Sequence, residues 1–262
     1  MIDLSNKLRP TNLETFVGQS HIIAKDKALY KLIKQKDIPH LFFYGKPGTG
    51  KTTLAKIIAR EINTDYYYFN ATSIKIEDLR KVFDKYKGSL IKPLIFIDEV
   101  HRLSKTQQEV LLPIMENYDA IIIGASTENP FFTLTSAIRS RSFLYEFKAF
   151  TKEEMNKILY IALKDIEITI IEDALEYLIT SSSGDARAML TLLNFAYKVS
   201  KDIDINLLKE LRENVIGDGV SSSDTHYDLA SAMIKSLRGS NIDAALYYMS
   251  RLINGGESVD FI

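Results

Sequence analysis

Cysteine is absent from the 262 residues, which excludes a disulfide scaffold, a thiolate zinc site and a cysteine nucleophile together. Tryptophan is absent as well. Neither sign of charge prevails: 33 Lys and Arg stand against 34 Asp and Glu, a formal net charge of −1. A globally basic nucleic-acid coat and an acidic disordered tail are both ruled out, so any contact with nucleic acid must come from a local basic face. Long hydrophobic runs are missing too. The longest, such as Leu94 to Ile97 and Ala120 to Ile123, fall far short of the ~20 residues that span a bilayer. The opening MIDLSNKLRP holds no apolar signal core, so the expectation is a soluble cytoplasmic protein. Internal repeats and low-complexity tracts are not found.

What is there is 46% hydrophobic residues, enough at ~100–200 residues per domain for one large domain or two modest ones. The first half alternates strand-like and helix-like segments. Leu41 to Tyr44 reads as a strand, followed by a glycine-rich stretch and a helix with Leu54, Ile57, Ile58 and Ile62 on one face. Asp65 to Asn70, Leu94 to Ile97, Ala120 to Gly124 and Ser142 to Phe147 read as further strands, with helices over Ile76–Tyr86 and from Ser104 onward. Ser104 and Gln107 have capping-box spacing. Such alternation predicts an α/β fold, a five-stranded parallel sheet flanked by helices.

After Phe150 the strand signal nearly stops, and a domain boundary is expected there. Thr151 and Glu154 form a second capping-box pair, and Met155, Ile158, Leu159 and Ala162 make an amphipathic stripe. Helical patterns follow at 172–181, 186–199, 207–214, 227–237 and 243–253, with Ser221 to Asp224 read as a linker. Gly255 to Ser258 looks like a turn and N-cap. The single helical turn left after it cannot nucleate alone, so the helical region is expected to continue past Ile262.

The strongest motif is Gly45–Thr53, which fits G-x-x-x-x-G-K-[ST] between a strand and a helix. Gly45, Gly48 and Gly50, with Pro47 and Thr49 between them, let the backbone wrap a phosphate so that N–H groups and the next helix's positive end face the anion. Lys51 can reach β- and γ-phosphates, Thr52 is placed for Mg2+, and Thr53 completes the segment. The apolar strand 94–97 then delivers Asp98, suited to Mg2+, and Glu99, suited to polarising an attacking water. No Asn-Lys-x-Asp element follows the loop to read guanine; the only early Asn-Lys pair, Asn6-Lys7, precedes it. Adenine is therefore expected. Ser126 and Thr127 close the fourth strand, where they either hold a lytic water or merely cap it. Arg141 lies in a loop from which it could cross to a neighbouring subunit. Arg187 sits in the first turn of a helix, where the macrodipole disfavours a cation unless an anion is bound.

This order of motifs resembles the AAA+ ATPases of the clamp-loader clade along residues 1–215. Gln107-Gln108, Leu112-Pro113, Thr127 to Pro130, Gly184 to Arg187, His226 to Asp228 and Arg238 to Ser240 resemble the replication-associated recombination branch of that clade. The resemblance implies a P-loop core at 1–148, an all-α lid at 149–219 and the start of a helical oligomerisation domain at 220–262. It implies ATP and Mg2+ as cofactors. Arg9, Pro10, Val17 and Gly18 would frame the adenine, Thr127 would be sensor 1, Arg141 the arginine finger and Arg187 sensor 2. It also implies a DNA-stimulated ATPase at stalled or broken forks. Fork, single-stranded or duplex-end DNA, a single-stranded-DNA-binding protein and a homotetramer are the implied partners. Ser126 departs from the family's usual second threonine.

Other features carry less. The four histidines, at 21, 40, 101 and 226, lack metal-ligand spacing. Lys27, Lys31 and Lys34 read as a solvated helix face before a DNA-tracking stripe, and Tyr66 to Tyr68 as core before base-stacking. A DExH helicase would need a second α/β motor, an inactive stator would lack Glu99 or an intact loop, and a Holliday-junction motor should end in a winged helix.

Overall fold

The apolar runs of the first half become strands. The computed structural model describes residues 8–164, 168–215 and 223–254. The strands are β1 His40–Tyr44, β2 Tyr66–Asn70, β3 Leu94–Asp98, β4 Ile121–Ser126 and β5 Ser142–Glu146. They form one parallel sheet in the order β2-β3-β4-β1-β5. Helices α1 Ser20–Ile23, α2 Ala28–Gln35, α3 Lys51–Glu61, α4 Ile76–Tyr86, α5 Lys105–Asn117 and α6 Ser136–Arg139 accompany it.

Strand alternation divides the apolar side chains between two layers. Leu41, Phe43, Leu94, Phe96 and Ile123 pack with Leu29 and Ile33 of α2 and Leu54, Ile57 and Ile58 of α3. Phe42, Ile95, Ile97 and Ile122 pack on the other face with Leu79 and Val82 of α4 and Leu111, Ile114 and Met115 of α5. Each such buried side chain contributes about 1.5–3 kcal/mol relative to exposure. The capping box opening α5 is formed: Gln107 N–H donates to Ser104 Oγ at 3.2 Å and Ser104 N–H to Gln107 Oε1 at 2.8 Å. His40 is fully buried. Its Nδ1 accepts the Ile122 N–H at 3.1 Å, so its Nε2 carries the hydrogen and donates to the Met115 carbonyl at 3.0 Å. One neutral imidazole thus ties β1 to β4 and α5, and burial pushes its pKa below the usual histidine value.

Three expectations change. The fourth strand does not stop at Gly124 but runs to Ser126. A Cβ at Gly124 would lie 2.3 Å from the Phe42 ring, so this glycine serves close packing within the strand. Tyr66 and Tyr67 are partly buried, whereas Tyr68 is half exposed on the edge strand. The segment after Phe150, expected to be all helical, is not wholly so. Between α7 Lys152–Lys164, α8 Glu172–Ser181 and α9 Ala186–Val199 lie β6 Thr169–Ile170 and β7 Asp202–Ile203, a two-stranded parallel sheet. Two-residue strands are too short to leave a periodicity in the sequence. The Thr151–Glu154 capping box is present.

The chain falls into two compact units, one ending at Ile205 and one starting at Asn206. The later helices are α10 Ile205–Val215, α11 Ser223–Arg238 and α12 Ile242–Asn254. Ser223 and Asp224 thus begin a helix instead of closing a linker; residues 221–222 lie outside the described residues. So do the opening segment 1–7 with Asn6-Lys7, and the turn and last helical turn expected over 255–262. In the second unit α11 and α12 pack together, burying Met233 and Leu252 and leaving Leu237, Ile242, Leu246 and Ile253 exposed. Among the described residues no helix is long and apolar enough to cross a membrane.

Candidate nucleotide site

Parallel strands bring their carboxyl ends to one edge, and the loops leaving β1, β3 and β4 meet there. The loop after β1 folds tightly. Gly45 has φ 133°, and a Cβ on it would stand 2.1 Å from the Phe147 carbonyl oxygen. Gly48 has φ 66°, and its Cβ would overlap Asp185, 1.7 Å from Oδ1. Asp185 caps α9 by accepting the Ala188 N–H at 2.8 Å, so the lid's helix begins against the loop. Thr49 Oγ1 donates to the Lys46 carbonyl at 2.8 Å. Lys51 Nζ donates to the carbonyls of Gly45 at 2.5 Å and Lys46 at 2.7 Å. Burial lowers the Lys51 pKa to about 8, with Arg187 adding to the fall and Asp98 and Asp185 opposing it. Those four charges share one neighbourhood.

A cleft of about 340 Å³ opens over this loop, within the size range of small-molecule sites. Arg9, Pro10, Val17, Pro47, Gly48, Thr49, Gly50, Lys51, Thr52, Thr53, Asp98, Glu99, Thr127 and Arg187 all line it. Gly18 and Gly45 stand behind that lining; a Cβ on Gly18, at φ 83°, would strike the Phe150 ring at 2.5 Å. Gln19 holds this corner, its Nε2 donating to Lys148 O at 2.7 Å and its Oε1 accepting the Lys148 N–H at 3.0 Å. Arg141 is not in the cleft. It precedes β5 at the opposite edge of the sheet, paired with Glu116 at 2.6 Å.

The donors suit the groups the motif implies. Glycine-wrapped backbone at a helix start is a phosphate cradle, and a Cβ at Gly45 or Gly48 would collide with Phe147 or Asp185 and keep the loop from wrapping this tightly. Thr52 and Asp98 are hard oxygen donors, fitting Mg2+ when phosphates and water supply most ligands. Glu99 adopts φ 55°, uncommon for a residue with a side chain, and its Oε2 lies 3.6 Å from Arg102 Nε. Ser126 is buried, and its Oγ accepts the Glu128 N–H at 3.0 Å and meets His101 Nδ1 at 3.0 Å. It caps the strand end at the cleft wall, and Thr127 beside it is exposed in the cleft.

Sequence reasoning missed the apolar wall: Phe16, Phe150, Ile158, Ile161 and Leu190. Ile158 belongs to the amphipathic stripe of this helix, yet it lines the cleft while Met155, Leu159 and Ala162 are buried. The α7 periodicity was the available signal, but it cannot separate a core from a ligand as the apolar partner.

Residues 8–138 match the family model described as the Holliday junction DNA helicase RuvB P-loop domain, and residues 164–238 the model described as the AAA C-terminal domain. The chain belongs to the AAA+ family of P-loop ATPases. It is similar to replication-associated recombination protein A of Haemophilus influenzae, at 39% identity over 97% of this chain and 60% of that protein. The Bacillus subtilis protein of the same name is 35% identical over 98% of this chain and 64% of that one. The chain thus spans about three fifths of the length of these relatives. Among solved structures, the Thermotoga maritima RuvB Holliday junction branch migration motor is 27% identical, with a TM-score of 0.68 over 88% of this chain and 80% of that one.

Proposed function

We propose that this chain is the ATP-hydrolysing part of a DNA-dependent motor of the replication-associated recombination type, remodelling DNA or protein–DNA complexes at stalled or broken forks. The observation that carries the nucleotide reading is the single cleft shared by Lys51, Thr52, Asp98, Glu99, Thr127 and Arg187. The curated relatives of that name carry the fork reading. On this reading residues 1–148 are the nucleotide-binding core, 149–219 the lid, and 220–262 the start of an oligomerisation domain.

The loop N–H groups and Lys51 hold the substrate phosphates, and Arg9, Pro10 and Val17 sit beside the base, backed by Gly18. Thr52 and Asp98 would hold Mg2+, which when bound neutralises phosphate charge. Glu99 withdraws a proton from the attacking water and Thr127 orients it. Arg187, on the lid, reads the γ-phosphate and closes a hinge near 148–151. Arg141 reaches a neighbour's site, and the exposed apolar side of α11 and α12 helps gather subunits, as a tetramer. Fork or single-stranded DNA and a single-stranded-DNA-binding protein are the partners, in the cytoplasm at the nucleoid.

The likeness to the RuvB motor favours a second reading, branch migration of four-way junctions. ATP turnover measured alone and with single-stranded, duplex, forked and four-way-junction DNA decides between them. Stimulation greatest with forks or single strands supports the first reading. Stimulation confined to four-way junctions supports the second, and no stimulation by any DNA removes both while leaving the ATPase.

A further inference from the structure

Among the described residues β2 is an edge strand that pairs only with β3, in a register that sets Tyr68 opposite Phe96 and Asn70 opposite Asp98. Register partners in a parallel pair project to the same face. Tyr66, Tyr68, Phe96 and Asp98 therefore share one side of the sheet. One strand spacing across and two residues along, the diagonal from Tyr68 to Asp98 is about 8 Å between backbones, within reach of a long aromatic side chain.

The Tyr68 ring uses that reach. It stacks on Phe96 with centroids 5.8 Å apart at 27°, and Tyr66 flanks the same ring at 6.2 Å and 23°. Phe96 is fully buried, so it is a fixed platform holding the tyrosine in one orientation. From there the Tyr68 hydroxyl donates to Asp98 Oδ2 at 3.2 Å. The other carboxylate oxygen, Oδ1, accepts the Glu99 N–H at 3.0 Å. Each oxygen thus has one neutral donor, and the plane of the carboxylate is held from both sides.

We infer that Tyr68 is a positioning residue for Asp98, holding its carboxylate in the orientation that receives a hydrated divalent cation bound with the nucleotide. This rests on the nucleotide reading proposed above. The physical ground is preorganisation: an acceptor already oriented loses less freedom when the cation arrives. Tyr68 is half exposed and does not line the cleft, so it acts through Asp98 and not on substrate.

The test is binding of a fluorescent ATP analogue to the Glu99→Gln chain, titrated with Mg2+, with and without Tyr68→Phe. Phenylalanine keeps the ring and its stacking and removes only the hydroxyl. Affinity without Mg2+ should be unchanged. The Mg2+ concentration giving half of the metal-dependent tightening should rise about 10-fold, the low end of the losses seen when outer partners of metal ligands are removed. In an Asp98→Asn background Tyr68→Phe should add nothing. An unchanged Mg2+ midpoint overturns the assignment, as does a loss of Mg2+-free affinity matched by a lowered melting temperature, which marks a merely structural role. A Glu99→Gln chain that binds no nucleotide at any Mg2+ concentration overturns the nucleotide reading and this assignment with it.

Discussion

Lys51 and Glu99 line one cleft, and on the proposed function they act on different charges. There Lys51 meets phosphate in the ground state, while Glu99 acts only on the attacking water. Lys51→Ala should therefore abolish nucleotide binding, and Glu99→Gln should keep binding and lose turnover. Titration with a fluorescent nucleotide separates them, and equal loss of affinity in both would contradict these roles. These residues are legible in the sequence because the chemistry demands particular side chains at fixed spacing: glycines where a Cβ would meet Phe147 or Asp185, then lysine and threonine at a helix start. Tyr68 is not legible in that way. Strand alternation gives its face, but only the strand order makes β2 an edge and only the register sets it beside Asp98.

Elements were readable where their periodicity was long. The helices at 76–86, 172–181 and 186–199 follow their apolar spacing end to end. Shorter or two-sided cases escape: β6 and β7 are two residues each, β4 continues through a glycine, and α7 offers apolar side chains to both core and cleft. The bridge from β1 to β4 and α5 through His40 has a measurable consequence. The folded state holds this imidazole neutral, with its pKa lowered by burial. The unfolded chain takes up the proton near pH ~6.5, the ordinary histidine value. The unfolded state therefore binds more protons below that pH, and stability is lost as pH falls through and below it. The melting temperature should drop between pH 7 and pH 5. In His40→Asn, less stable at pH 7, this segment of the pH profile should be flatter. Equal slopes in the two chains would remove His40 as the source.

At the scale of the whole molecule, Arg141 and the cleft lie at opposite edges of one sheet, so a single chain cannot bring them together. Its pair with Glu116 is partly exposed on both sides, worth at most ~1 kcal/mol, and yields readily to a better anion. An arginine supplied in trans contributes a factor of about 10³–10⁵ to turnover in P-loop enzymes. Specific activity of the 262-residue chain should therefore rise with protein concentration. Arg141→Ala mixed with Lys51→Ala, in a chain long enough to assemble, should recover part of the activity both lack alone. Flat specific activity and a dead mixture would mean that Arg141 does not act across an interface. The strand order carries a different consequence, for the birth of the molecule. β1 is the first strand to be synthesised, yet its neighbours are β4 and β5, the last two of the sheet. A ribosome that has delivered only β1 to β3 has released Leu41-Phe42-Phe43 with no strand on either side. Until Ser142–Glu146 emerges, that segment is a sticky ribbon exposed to other nascent chains. The phosphate-wrapping loop that follows it takes shape only after both neighbouring strands have emerged, so the first motif to be read waits on the last strands of the sheet.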